Sequence, residues 1–412
     1  MGLGARKLQN GINKFRCLNG TKNGLEMMRT LQLSDPYTAK ILDEVLAEEG
    51  SWDIIFAQTA KPGWDEVSLG HFRAAACCRQ SDFVAAYKYQ LASYQAFLRL
   101  FIDMPRLCVP ALYAISKDLN EVARRADEQL QAAGESTGKV EEAMRAINQG
   151  FSICMTDREP VLEKSRKWGT YRMANLLFGL YLRLKAYNLC TSMLRAIRAS
   201  ELPPLSQFSM SDQVTFRYYR GMLAFRSENY GAAREDLLFA LEHCHRDCYR
   251  NKTRILIYLA PILLMEGRMP HSRILRRFPV IKALYGDVLR AAKTGNVGRF
   301  DELMREKEQQ FARLGVYIAV EQIRRIALRQ VLYKVYLIDG KASRVPFARF
   351  AQGLHAAGVN VDAVETECVL ADMVFAGYIK GYLAHDHGLA VLSKQQPFPP
   401  LRSCQTLAAT AS

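Results

Sequence analysis

Apolar residues recur at helical spacing along most of this chain. From Asp82 onward, Phe83, Tyr87, Leu91, Tyr94 and Leu98 return every three or four residues, so they share one helix face. Leu112, Ile115, Leu119, Val122 and Ala126 continue the stripe through 107–132, and Gly134 and Gly138 interrupt it. The spacing predicts another amphipathic helix over 139–155, ended by the polar stretch 156–160. Before Asp82 the pattern is weaker. Gly and polar residues punctuate 2–24, a helix is expected around 36–49, and 52–64 reads as a connector.

Further along, short helices come in pairs. Leu176, Leu177, Leu180 and Leu184 mark one helix, and Tyr187, Cys190, Met193, Leu194 and Ile197 mark its neighbour. At 216–243 a turn at Ser227-Glu228-Asn229 separates Tyr219, Gly221, Leu223 and Phe225 from Tyr230, Ala233, Leu237 and Ala240. A third pair is expected at 288–311 around Gly295-Asn296, with Phe300, Leu303 and Phe311 in its second half. A small residue at the crossing, then an aromatic and an alanine, resembles the tetratricopeptide pattern. One such pair cannot bury its apolar face alone, so pairs stack into a superhelix.

The pattern changes after Leu314. One long helix is expected over 316–338, with Val320, Ile323, Ala327 and Val331 on its apolar stripe. A second is expected over 345–357, capped by Ser343, and a third over 362–376. Residues 378–383 and 389–393 alternate as strands, joined at His385-Asp386-His387-Gly388. Pro397-Phe398-Pro399-Pro400 should be extended. Three helices and a hairpin are the parts of a winged helix. The expected fold is therefore mostly α, a helical-repeat (tetratricopeptide-like) superhelix followed by a C-terminal winged helix with a small β-hairpin. The expected divisions are a poorly defined segment over 1–63, a helical-repeat region over 64–205, further helices over 206–314, the winged helix over 315–401 and a tail over 402–412.

Composition narrows the function classes. No apolar run approaches the roughly 20 residues of a membrane span, and Met1 to Cys17 lacks the apolar centre of a secretory signal. Ten cysteines are scattered without a C-x-x-C pair, which is expected of reduced thiols in cytosol or nucleus. His243-Cys244-His245 with Cys248, and His385-Asp386-His387, hold metal-ligand types, but neighbours this close do not converge on one ion. A phosphate loop, a nucleophile elbow and H-E-x-x-H are all missing from the sequence, so neither catalysis nor a cofactor is expected.

The charge supplies the candidate chemistry. The chain carries a formal +15. Between His243 and Arg299, twelve Lys or Arg stand against three acids, a local +9. Such a concentration attracts nucleic acid or an acidic protein. The first candidate is a basic loop, Arg246, Arg250, Lys252 and Arg254, with Tyr249 as a stacking face for an unpaired base. The second is Arg273, Arg276 and Arg277. The third is Arg325 and Arg329, four apart and so on one face. In the winged helix, the third helix carries Asp362, Glu365, Glu367 and Asp372 and no Lys or Arg, so it is not expected to enter a DNA groove. Any contact there would fall to Lys380, Lys394 and the wing histidines. Binding of this kind is general and salt-sensitive rather than sequence-specific.

Longer strings carry a resemblance. Leu241-Glu242-His243-Cys244-His245-Arg246, continued through Asn251-Lys252-Thr253-Arg254-Ile255-Leu256-Ile257-Tyr258-Leu259, is similar to the PCI-domain-containing protein 2 family, the PCI subunit of nuclear transcription-and-export complexes. Lys167-Trp168-Gly169, Leu194-Arg195-Ala196-Ile197, residues 377–382, Ser393-Lys394-Gln395 and Pro397-Phe398-Pro399-Pro400-Leu401 extend the resemblance across roughly 64–401. It implies a PCI domain of the kind found in the proteasome lid, the signalosome and initiation factor three. It also implies a non-catalytic scaffold that works in messenger-RNA export in the nucleus, near nuclear pores. The implied partners are a large PCI-like scaffold subunit, a small acidic disordered subunit shared with the proteasome lid, and RNA or DNA. A protein-only scaffold, its positive surface serving the acidic subunit, is the rival expectation.

Overall fold

The computed structural model describes residues 24–46, 52, 63–268, 270, 272–401 and 404. The readings made for 2–23, for most of the connector and for 405–412 lie outside the described residues. Two compact units divide at Phe216/Arg217.

The first unit is helical. Helices α1 (Gly24–Thr30), α2 (Pro36–Leu46), α3 (Trp64–Arg79), α4 (Phe83–Phe101), α5 (Val109–Ala132), α6 (Lys139–Met155), α7 (Thr170–Arg183) and α8 (Tyr187–Ala199) follow in order. The stripe read from Asp82 onward is the buried face of α4, with Tyr94, Phe97 and Phe101 fully enclosed. Asp82 caps this helix by accepting the Ala85 N–H. The start of α6 has a cap the local sequence does not show. Asp127, on α5, accepts the N–H groups of Gly138, Lys139 and Val140 at 2.9 Å each. One carboxylate thereby satisfies three donors that α6 leaves open.

A buried ion pair anchors the loop after α6. Asp157 accepts from the Ser165 hydroxyl, the Arg166 N–H and the Arg166 guanidinium at 2.6 to 2.9 Å. Arg166 also donates to the Phe101 and Ile102 carbonyls at the end of α4. Burial alone would raise the Asp157 carboxyl, but Arg166 and Ser165 prevail and hold it at about 2.

Helix α9 (Met210–Arg226) carries the chain into the second unit. There α10 (Tyr230–His243), α11 (Tyr249–Met265), α12 (Ser272–Arg277), α13 (Pro279–Thr294), α14 (Val297–Glu306) and α15 (Glu308–Leu314) precede the winged helix. The expected pairs are α7 with α8, α9 with α10, and α13 with α14. Gly221 permits the close crossing of α9 and α10, since a Cβ there would stand 3.0 Å from Leu237. Arg220 fixes the same crossing with two 2.6 Å bonds to the buried Asp236.

The winged helix consists of α16 (Tyr317–Gln322), α17 (Arg324–Ile338), β1 (Arg344–Pro346), α18 (Phe347–Ala356), α19 (Ala363–Phe375), β2 (Gly381–Ala384) and β3 (Leu389–Leu392). Its sheet is antiparallel with order β1-β3-β2. Two expectations need correction. The helix over 316–338 is two helices, because the Ile323 N–H closes a tight turn on the Val320 carbonyl. Arg324 then reaches back to both oxygens of Asp301 on α14, at 2.7 and 2.8 Å. Ser343 does not cap α18. Its carbonyl accepts the Leu392 N–H, and residues 344–346 form a strand absent from the sequence reading. That strand was hidden because three residues ending in a proline carry almost no periodic signal. Residues 397–400 carry neither helix nor strand, and they pack on the domain. Phe398 packs against Tyr333 and Tyr336, and the Lys380 N–H donates to the Pro397 carbonyl. Among the described residues, no helix is long and apolar enough to cross a membrane.

Candidate nucleic-acid interface

The first cationic cluster is not a loop. Only Arg246 lies in the turn between α10 and α11, while Arg250, Lys252 and Arg254 occupy the opening turns of α11. The apolar run beyond Arg254 is the buried continuation of that same helix. The sequence reading missed this because the polar residues 249–254 show no apolar stripe of their own.

This placement opposes helix electrostatics. A helix N-terminus carries partial positive charge, and each cation there costs about 0.3–1 kcal/mol. Arg250 and Arg254 are also like charges at i and i+4, a further cost of about 0.2–0.5 kcal/mol. No acid stands in the first turn, and Cys248 supplies no side-chain cap. Arg250 and Arg254 are exposed and Lys252 half-buried. None of their three side chains has a hydrogen bond or ion pair among the described residues. Among the described residues, Arg246 pairs with its neighbour Asp247, at 3.7 Å.

Aromatic stacking joins the first two clusters. Tyr249, 39% exposed, stacks on the buried Phe278 at 5.1 Å with the rings 13° apart. Arg277 lies 6.0 Å from the same Phe278 ring, and Arg273 and Arg276 are exposed on α12. Phe278 was not singled out in the sequence. The available signal was an aromatic standing immediately before the Pro279 helix start. The resulting surface combines cations from α11 and α12 with one tyrosine face, a combination that suits phosphates and an unpaired base.

The third cluster serves the fold. Arg325 pairs with Asp372 on α19 at 3.3 Å. Arg329 donates to the Pro399 carbonyl at 2.8 Å and lies 5.7 Å from the Phe398 ring. Burial holds its guanidinium below the usual arginine range. The face expected from the four-residue spacing is thus half-buried, with Arg325 engaged by α19 and Arg329 by the 397–400 segment, which sequence spacing could not reveal.

In the winged helix, Lys380 and Lys394 stand together, because the Ser393 N–H donates to the Lys380 carbonyl. Both are exposed. They mark the open end of the β2–β3 hairpin, away from the turn that carries the wing histidines. At that turn His385 contacts the Glu367 carboxylate at 2.8 Å, which raises the imidazole above its ordinary value. The acids of α19 are locally engaged. Asp362 and Glu365 form a capping box, Glu367 holds His385 and Asp372 holds Arg325.

A helical array whose last helices run into one winged helix defines a PCI-domain protein, and the PCI domain family matches residues 292–394. The chain is 33% identical over 388 residues to PCI domain-containing protein 2 of Xenopus laevis, covering 92% of this chain and 94% of that one. It is 35% identical over 353 residues to the Danio rerio protein of the same name, covering 84% and 87%. It is 34% identical over 351 residues to the CSN12 homolog of Schizosaccharomyces pombe, covering 82% and 83%. The chain belongs to the family of PCI domain-containing protein 2 and the CSN12 homologs.

Proposed function

We propose that this chain is a non-catalytic scaffold subunit of a nuclear messenger-RNA export complex. It pairs with a large PCI-like scaffold subunit and a small acidic subunit, and it holds RNA or DNA through phosphates on the α11–α12 surface. One observation carries the nucleic-acid reading. Arg250 and Lys252 crowd a helix N-terminus that their charge opposes, Arg254 follows one turn on, and among the described residues none of the three has a side-chain ion pair. Polyanion binding removes that cost. Neighbouring Tyr249 favours single strands, where a base is free to stack.

The test is fluorescence anisotropy with single-stranded RNA across a salt series, for the chain alone and paired with its PCI partner. Replacing Arg250, Lys252 and Arg254 together by Gln removes up to three phosphate contacts. The slope of log K against log salt should fall by about 2. Thermal stability should hold or rise, because the cations oppose the helix. An unchanged slope with an intact fold refutes the assignment and transfers the basic surface to the acidic subunit.

A further inference from the structure

Two cysteines bracket the turn that presents Arg246. Cys244 follows the last residue of α10 and is buried, whereas Cys248 is the exposed N-cap of α11. The turn is held closed by the Cys248 N–H donating to the His245 carbonyl at 3.0 Å. The two thiols are free and stand at either side of this hydrogen-bonded turn, four residues apart. Their surroundings are cationic. Arg246 and Arg250 flank Cys248 in sequence, and Lys252 follows within the first turns of α11. The exposure of Cys248 admits an oxidant. The other exposed thiol, Cys368, lies inside α19 with no second cysteine near it in the chain.

We infer that Cys248 and Cys244 form a reversible dithiol–disulfide couple, with Cys248 as the attacking thiol and Cys244 as the resolving one. Glutathione disulfide is the matching oxidant class. The Cys248 thiolate attacks one of its sulfurs, forming a protein–glutathione mixed disulfide and expelling one glutathione thiolate, which takes up the proton Cys248 lost. The Cys244 thiolate then attacks the Cys248 sulfur, closing the intramolecular disulfide and expelling the second glutathione. Two protein thiols are oxidised and one glutathione disulfide is reduced to two glutathiones. The bond ties the end of α10 to the start of α11 across three residues. The consequence for RNA, a turn in which Arg246 is fixed, rests on the nucleic-acid reading above, but the chemistry does not.

The experiment treats the folded full chain with glutathione disulfide, blocks remaining thiols, and digests it with trypsin without reduction. Trypsin cuts after Arg246, so the disulfide appears as two peptides joined, one holding Cys244 and the other Cys248. Dithiothreitol should separate them. Cys244→Ser should stall the reaction as a glutathione adduct on Cys248, and Cys248→Ser should leave Cys244 free. Absence of the joined peptides in the wild-type chain, or a stable glutathione adduct on Cys248 while Cys244 is intact, overturns the couple. A parallel anisotropy measurement on the oxidised chain separates the two claims, because joined peptides with unchanged RNA affinity leave the couple standing and count only against Arg246 as a phosphate contact.

Discussion

Replacing Asp157 by Ala removes the acceptor around which the 156–166 loop is built. The carboxylate is nearly sealed from solvent, with 3% side-chain exposure, and its partner Arg166 retains 16%. The substitution strands the guanidinium, the Ser165 hydroxyl and the Arg166 N–H at once. Breaking a buried ion pair from one side costs about 3–5 kcal/mol. Arg166 keeps its two bonds to the Phe101 and Ile102 carbonyls, which places the expectation toward the lower end. For a unit of this size each kcal/mol shifts the midpoint by about 2–4 °C, so a fall of about 6–12 °C is expected. Calorimetry of the full chain measures it. The pH dependence supplies a second check. The folded carboxyl sits at about 2, below its ordinary value of 3.8. Its contribution is complete above about 4 and is lost as pH falls from there toward about 2, so the deficit of the variant should narrow over that window. A midpoint loss below about 2 °C at neutral pH would show that the loop does not depend on this pair.

Two other predictions follow the same logic. Asp118 accepts the Leu33 N–H at 2.7 Å, and burial pushes its carboxyl up to about 6 against the ordinary 3.8. The folded chain therefore binds the proton more tightly between about 4 and 6, and stability declines as pH rises through that range, by up to about 3 kcal/mol. Asp118→Asn keeps an acceptor without the charge. It should raise the midpoint above pH 6 and leave it unchanged near pH 4, and equal midpoints at pH 7.5 would contradict this. At Gly381 a Cβ would lie 2.2 Å from the Val391 carbonyl oxygen, a backbone atom that can move only by opening the β2–β3 pairing. Gly381→Ala should cost about 1–3 kcal/mol and increase amide exchange at Tyr382 and Leu383, while protection resembling that of the wild type would refute it.

Much of the fold could be read from the chain directly. Helix periodicity depends on local spacing, so the stripe at Phe83 to Leu98, the pair around Gly221 and the helices after Ser343 all appear close to where the sequence puts them. The strings around Leu241 to Leu259 also carried the family. The failures share a cause. The opening turns of α11 lack an apolar stripe, and β1 is three residues long, so neither has a local signal. The kink at Ile323 goes with Arg324 reaching Asp301, 23 residues away in sequence, and the cap of α6 comes from Asp127 on another helix.

The candidate site shows the same division. Amino-acid types alone located the excess charge between His243 and Arg299. Which cations remain available was decided by packing. Arg325 and Arg329 had the spacing of a surface face, yet Asp372 on α19 and the Pro399 carbonyl engage them. Arg250 and Arg254 stay exposed because their helix buries only its apolar continuation. Sequence specifies charge and period, since both are properties of residues and their neighbours along the chain. Counter-charge, stacking partners and access to solvent are set by groups distant in sequence, and only the folded chain brings those together.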